Sequence, residues 1–406
     1  MKYPIVYFSG PKITDFYNES KLNKSGNVFH TTAEKLSIAG QTNIEGLFID
    51  FNVGLRMEIP KGNWHVKISD YSSKIVFFDS DISEVTLVSL EKFFVRWEII
   101  LYRDGKLVFY HIFNPSNKKI HFQFLATSIG DNVVNFPYME AFRKYYNCKV
   151  TCTVPKYLNC LIENFYPNVK LVDGIDEDTY AIYYISPTLN PLMISEDFRS
   201  IPMEQLGREI LNLPQAEKVI YKPTKPRQIQ EKYVCIAVQT SATFKTWLNP
   251  TGWYEVIEYL KSLGYRVLCI DKNAEEHDHG IKITKPKNAE NFTGDIPLID
   301  RVNLLTYADF FIGCGSGLSW LAWACDIPVI LISGITASWC EFQTPYRIYN
   351  RLTCHGCHNW TNINWGEYET CPKFGGTERA YECSTKISSQ QVIEAIDNLR
   401  RDKNLN

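Results

Sequence analysis

Phe310 to Pro328 reads FFIGCGSGLSWLAWACDIP. The apolar run Phe310-Phe311-Ile312 ends in Gly313-Cys314-Gly315-Ser316-Gly317. A strongly apolar helix follows over Leu318 to Cys325, and a new strand begins at Ile327-Pro328-Val329-Ile330. Strand, glycine-rich turn, helix and strand in that order make one unit of a parallel α/β sheet. A helix N-terminus leaves backbone N–H groups unpaired and carries a partial positive charge. Glycines let an anion approach those donors closely. The stretch therefore reads as a seat for a diphosphate, with ordinary helix-on-sheet packing as the plainer alternative.

The same alternation continues outward. Before Phe310 come strand Tyr233 to Gln239, helix Trp253 to Ser262, strand Tyr265 to Asp271 and helix Leu298 to Tyr307. An earlier α/β unit opens with the strand-like run His121 to Ala126, the turn Thr127 to Asp131 and a helix over Asn132 to Tyr146. It goes on through strand Lys149 to Val154, a short helix Tyr157 to Phe165, and strands at Val169 to Val172 and Thr179 to Tyr184. Pro187, Pro191, Pro202, Pro214, Pro223 and Pro226 follow, the last two marking a linker. Open α/β sheets bind ligands outside the C-terminal ends of their strands, so two units in tandem place a cleft between them. Residues 1 to about 120 differ, being short β-branched and aromatic strands between Gly, Asn, Asp and Ser. They read as a small all-β barrel or sandwich, with a hairpin at Tyr102 to Leu107 turning on Asp104-Gly105.

Composition narrows the class. The chain has 406 residues, 45% hydrophobic and 14% aromatic, enough for two or three domains with substantial cores. A net charge of -2 provides no field toward nucleic acid or an anionic membrane. The opening MKYPIVYFSGPK has no signal-peptide pattern, and no apolar run is long enough to span a bilayer. A cytoplasmic protein is expected. Of the 12 cysteines, eight are scattered, several inside strand patterns where a thiol is a small hydrophobe. The other four, Cys354, Cys357, Cys371 and Cys383, begin with a C-x2-C knuckle in a polar, glycine-bearing stretch. They can close a tetrahedral S4 site for zinc or iron, with His355 and His358 as rival ligands and free thiols or two disulfides as alternatives.

Three further places carry candidate chemistry. Asp131 follows a strand and turn and opens a helix, as a first-turn acid or as a general base at the cleft. Thr240, Thr243 and Lys245 lie just past a strand end, where hydroxyls and a lysine suit a diphosphate. Thr293 and Gly294 sit in a loop leading into a helix and could contact a nucleotide, with Asp295 as its cap. Glu275 to His279 contains metal-ligand residue types without regular spacing and reads as a solvated loop.

Ser128-Ile129-Gly130-Asp131 resembles the Gly-Asp motif of the heptosyltransferases. With the Lys245 loop, the turn Gly315 to Trp323, the β-rich N-terminal part and the four C-terminal cysteines, nearly the whole chain resembles the bacterial autotransporter heptosyltransferases. The resemblance implies a GT-B fold: an all-β domain over 1–120, Rossmann-like domains over 121–225 and 226–350, a metal finger over 351–385 and a C-terminal helix over 386–406. It implies an ADP-heptose donor, serine hydroxyls of an autotransporter adhesin as acceptor, and rings of twelve subunits. Asp131 takes the catalytic-base position and inverts the anomeric centre. Lys245 and the turn Ser316, Gly317, Leu318 and Ser319 take donor positions; Thr240, Thr243, Thr293, Gly294 and Gly315, read from their loops, complete the expected donor-binding set. Cys354, Cys357, Cys371 and Cys383 take the iron positions, one metal per subunit. The rivals are a transferase of another sugar, a lipopolysaccharide acceptor, and a metal-stapled binding module without turnover.

Overall fold

The computed structural model describes residues 3–10, 42–176, 178–185, 197–278, 281–363 and 371–405. An eight-stranded sheet has the order Ile5–Phe8, Val85–Ser89, Arg56–Ile59, Phe48–Asn52, Thr179–Ile185, Lys119–Phe124, Lys149–Thr153, Val169–Leu171. Only Arg56–Ile59 runs against its neighbours. A six-stranded, all-parallel sheet has the order Glu290–Asn291, Arg266–Cys269, Tyr233–Ala237, Phe311–Cys314, Val329–Ile332, Arg347–Ile348. Strands covered on both faces must be apolar throughout, and Tyr233–Ala237, Phe311–Cys314 and Val329–Ile332 are buried at every residue. Two α/β lobes with an all-β N-terminal region make the GT-B-like arrangement.

The N-terminal strands do not close into one barrel or sandwich. Trp64–Asp70, Val76–Ile82, Trp97–Arg103 and Lys106–Ile112 form a separate antiparallel sheet. The others extend the first α/β sheet, Phe51 pairing with Ala181, so strand pairing crosses residue 120. Burial explains the division. Arg56–Ile59 is buried throughout and needs cover on both faces, whereas Trp64–Asp70 alternates and can leave one face to solvent. The hairpin turns at Asp104 and Gly105 with φ of 50° and 73°, the left-handed pair that such a turn demands.

The helix expected over Asn132 to Tyr146 is two helices, Ile129–Val133 and Pro137–Tyr146. Proline cannot donate to the preceding turn, so the chain restarts with Pro137 at a first helical position. The linker after Leu211 is extended but anchored. Buried Tyr221 stacks on Phe165 at 4.2 Å and donates its N–H to the Ala324 carbonyl at 2.8 Å. Pro187 and Pro191 lie outside the described residues. Glu275–Asp278 pairs with Ile281–Thr284 as a hairpin rather than a loop, and His279 lies outside the described residues.

One apolar cluster joins both lobes, running from Phe8 through Phe122 and Leu161 to Leu298, Trp320 and Phe342. The C-terminal helix Ser389–Asp402 starts with a capping box from Ser388 and Gln391 and packs Val392, Ile396 and Leu399 onto the second lobe.

Candidate active site between the lobes

Two glycines set the lobes' closest approach. A Cβ on Gly130 would lie 2.6 Å from Trp320 Cδ1, and one on Gly317 would lie 2.7 Å from Ile129 Cβ. The helices Ile129–Val133 and Gly317–Ala324 therefore meet backbone to side chain, near their N-termini. Beside this seam opens a cleft of about 850 Å³. Thr127, Ser128 and Ile129 line it from the first lobe, facing Thr240, Ser241, Gly294, Ser316, Gly317 and Leu318 of the second.

Asp131 stands one hydrogen bond behind that lining. Ser128 caps its helix, accepting from the Asp131 N–H at 3.2 Å and donating to Asp131 Oδ2 at 2.5 Å. Burial raises the carboxyl above its ordinary range, opposed by the Ser128 hydrogen bond and the Lys245 charge. Asp131 is thus both a first-turn acid and a carboxylate with raised proton affinity, the property a general base needs. Lys245 ends the turn Thr243–Lys245, its Nζ 3.5 Å from the Ser241 hydroxyl. The side chain of Thr243 lies outside the described residues. The Thr240 hydroxyl bonds Ala242 O at 2.6 Å and Thr246 Oγ1 at 2.9 Å.

The remaining candidate residues divide. Ser316 is the extended N-cap of the helix that begins at Gly317. Gly315 makes room for Glu341, whose Oε1 would lie 1.9 Å from a Cβ there. Ser319 is fully buried and bonds back to the Cys314 carbonyl, so it closes the turn instead of facing the cleft. Thr293 spends its N–H and hydroxyl on Asn291 Oδ1, at 3.2 and 2.7 Å.

Sequence reading missed Asp271 and Arg301, both buried and both in the cleft lining. Arg301 had a legible signal: it lies on the apolar stripe of Leu298, Val302 and Leu305 in the helix Leu298–Thr306, where a charge demands an explanation. Glu341 was also missed. It pairs with Arg347 at 2.9 Å, both side chains more than nine-tenths buried.

Cys354, Cys357, Cys371 and Cys383 line one enclosed void of about 20 Å³. Burial, with neighbouring thiols adding, pushes Cys357 and Cys383 up to about 12. Among the described residues no group of three or more His, Cys, Asp or Glu side chains is already arranged to hold a metal ion. Four soft donors around a space of roughly one water nonetheless fit a thiolate-ligated ion. Residues 364–370 of this stretch lie outside the described residues. His355 also borders the void and packs at a tilt against Tyr349, ring centroids 5.0 Å apart. His358 does not border it. Burial, with Lys245 and Arg199 adding, lowers His358 to about 4. Arg199 ties the stretch after Cys357 to the first lobe's side, donating to the carbonyls of Trp360, Thr361 and Ile363 at 3.0, 3.0 and 2.6 Å.

Known proteins resemble this chain over most of its length. The family described as glycosyltransferase family 9 (heptosyltransferase) matches residues 196–364, and the N-terminal domain of glycosyltransferase TibC matches residues 44–105. The autotransporter heptosyltransferase Aah of Escherichia coli is 39% identical over 87% of this chain and 93% of its own. The crystal structure of TibC from enterotoxigenic E. coli H10407, an iron-containing dodecameric glycosyltransferase, superposes with a TM-score of 0.86 at 36% identity, covering 91% of this chain and 100% of that one. TibC has also been solved with ADP-D-beta-D-heptose. BimC of Burkholderia thailandensis, described as an inactive autotransporter heptosyltransferase, is 31% identical over 87% of this chain and 85% of its own.

Proposed function

The chain belongs to the autotransporter heptosyltransferase family, and from that membership we propose that it moves a heptose from ADP-heptose to serine hydroxyls of an autotransporter adhesin. Asp131 accepts the serine proton as the oxygen attacks the anomeric carbon. ADP departs from the opposite face, with inversion. Lys245, Thr240, Thr243 and the helix N-terminus at Gly315 to Leu318 stabilise charge gathering on the diphosphate, and Thr293 and Gly294 border the nucleotide. Such preorganised groups act most strongly on charge that develops in the transition state. The observation that carries the reading is Asp131: a partly buried carboxyl that feels the Lys245 charge, one hydrogen bond from the cleft wall.

Cys354, Cys357, Cys371 and Cys383 hold one iron, with zinc as the rival ion. When bound, the metal cross-links a stretch whose own apolar cluster is Ile335, Cys357 and Cys383 with Phe244 and Trp360. Twelve subunits assemble, a reading supported by the dodecamer of TibC, and the expected location is the cytoplasm. Among the described residues no helix is long and apolar enough to cross a membrane.

Coproduction with an autotransporter passenger, followed by intact mass analysis, tests the function. The expected result is a mass gain of whole heptose units, lost by ~10² to 10⁴ in rate in Asp131→Asn, which still binds ADP. Another sugar mass, or transfer onto lipopolysaccharide, would replace the donor or acceptor assignment. No transfer with intact ADP binding would favour a non-catalytic role, as the description of BimC illustrates. Wild-type rates in Asp131→Asn would remove Asp131 as the base.

A further inference from the structure

Resting on the donor reading above, we propose that Asp271 and Arg301 are positioning residues: together they form a buried strut that holds the two donor-side loops of the cleft in register. One loop, after strand Tyr233–Ala237, carries Thr240 and Lys245. The other, before helix Leu298–Thr306, carries Thr293 and Gly294. The Asp271 carboxylate accepts the N–H of Val238 at 2.9 Å and of Gln239 at 3.2 Å, fixing where the first loop leaves its strand. Arg301 donates to the carbonyls of Phe292 at 2.6 Å, Gly294 at 2.9 Å and Asp271 at 3.1 Å. Gly294 returns its N–H to the Asp271 carbonyl at 3.2 Å. Asp271 is 2% and Arg301 3% exposed, yet both border the cleft.

The chemistry makes this arrangement costly to keep. Burial pushes the Asp271 carboxyl up to about 6, against the pull of the two amides, the Cys269 thiol and the Arg301 charge. A buried carboxylate and guanidinium are retained at such expense where their hydrogen bonds fix a conformation. Apart from the Cys269 thiol, which donates to Asp271 Oδ2 at 3.3 Å, these bonds run to backbone, so the strut sets loop geometry and leaves ligand contacts to other groups. Loops fixed beforehand bind a ligand with less ordering cost.

The test measures ADP binding by calorimetry and steady-state kinetics with ADP-heptose. In Asp271→Asn one acceptor oxygen becomes an amide that cannot serve a facing N–H. Arg301→Gln removes the guanidinium fork. Each variant is expected to weaken ADP and raise KM by ~10-fold to 100-fold, with kcat changed much less. The double variant should lose no more than the worse single, because one strut is broken once. Multiplying effects would overturn the strut, as would wild-type ADP affinity in either variant. Should either variant unfold, Arg301→Lys replaces it and is expected to raise KM with kcat retained; unchanged KM overturns the strut. Failure of wild-type protein to bind ADP would instead overturn the donor reading beneath it.

Discussion

The seam between the lobes and the four-cysteine stretch differ in what can stabilise them. The seam is complete in the polypeptide. Gly130 receives Trp320, Gly317 receives Ile129, and Trp320 stacks edge-on against Trp323 and Phe342 at 5.4 and 4.8 Å. It belongs to an apolar cluster reaching across both lobes. The finger has a three-residue buried cluster and four thiols around a void. Burial, with the neighbouring thiols adding, raises Cys357 and Cys383, which penalises their thiolates unless a bound cation compensates. Steric matching thus secures the place of Asp131, the proposed base, while the order of the cysteine stretch is proposed to depend on a metal.

The largest expected effect breaks the finger. Chelation under reducing conditions, or Cys371→Ser, should cost on the order of 5 kcal/mol or more of local stability. Hydrogen exchange or limited proteolysis across residues 354–383 would report it, with the strands at the seam still protected. Equal protection with and without metal would make the finger as self-sufficient as the seam.

A smaller effect attacks the seam. Gly317→Val places a branched side chain where Ile129 Cβ already lies 2.7 Å from an added Cβ. Overpacking of this kind costs about 1 to 3 kcal/mol, read by urea denaturation, and here should also reduce transfer by shifting Asp131 against the donor lobe. Gly174→Ala, with nothing within 4 Å, is the control and should stay within about 0.5 kcal/mol.

The smallest effect sharpens the comparison by pH. Burial holds the folded pKa of Asp131 above its ordinary 3.8, so the folded state binds that proton more tightly than the unfolded chain. The resulting stability is fully present below 3.8 and is lost as pH rises through the raised value. Asp131→Asn should therefore gain on wild type between pH 4 and neutrality, by at most about 1 kcal/mol given the carboxyl's residual exposure. Urea titrations at the two pH values check it. A loss of stability in the variant would mean that Asp131 is kept for the fold and not for the reaction.

Sequence by itself determined the second lobe. Its central strands Tyr233–Ala237, Phe311–Cys314 and Val329–Ile332 are buried at every position because a parallel sheet is covered on both faces, and that pattern needs no partner to be read. It also read Asp131 into a helix's first turn and the glycine turn ahead of the helix Gly317–Ala324, since turn and cap chemistry is local. Tertiary structure alone decided the rest. Whether Phe48–Asn52 joins a barrel or the α/β sheet depends on which strand lies beside it, and that strand is Thr179–Ile185, far along the chain. Gly317 read as a diphosphate-turn glycine and Gly130 as part of a Gly-Asp motif; that each also makes room for a side chain of the opposite lobe appears only in the fold. Asp271 and Arg301 act through backbone groups that folding brings together, 30 residues apart in one bond. Local patterns record the free energy of a segment with itself and with water; contacts between distant segments leave no such trace until the chain has closed around them.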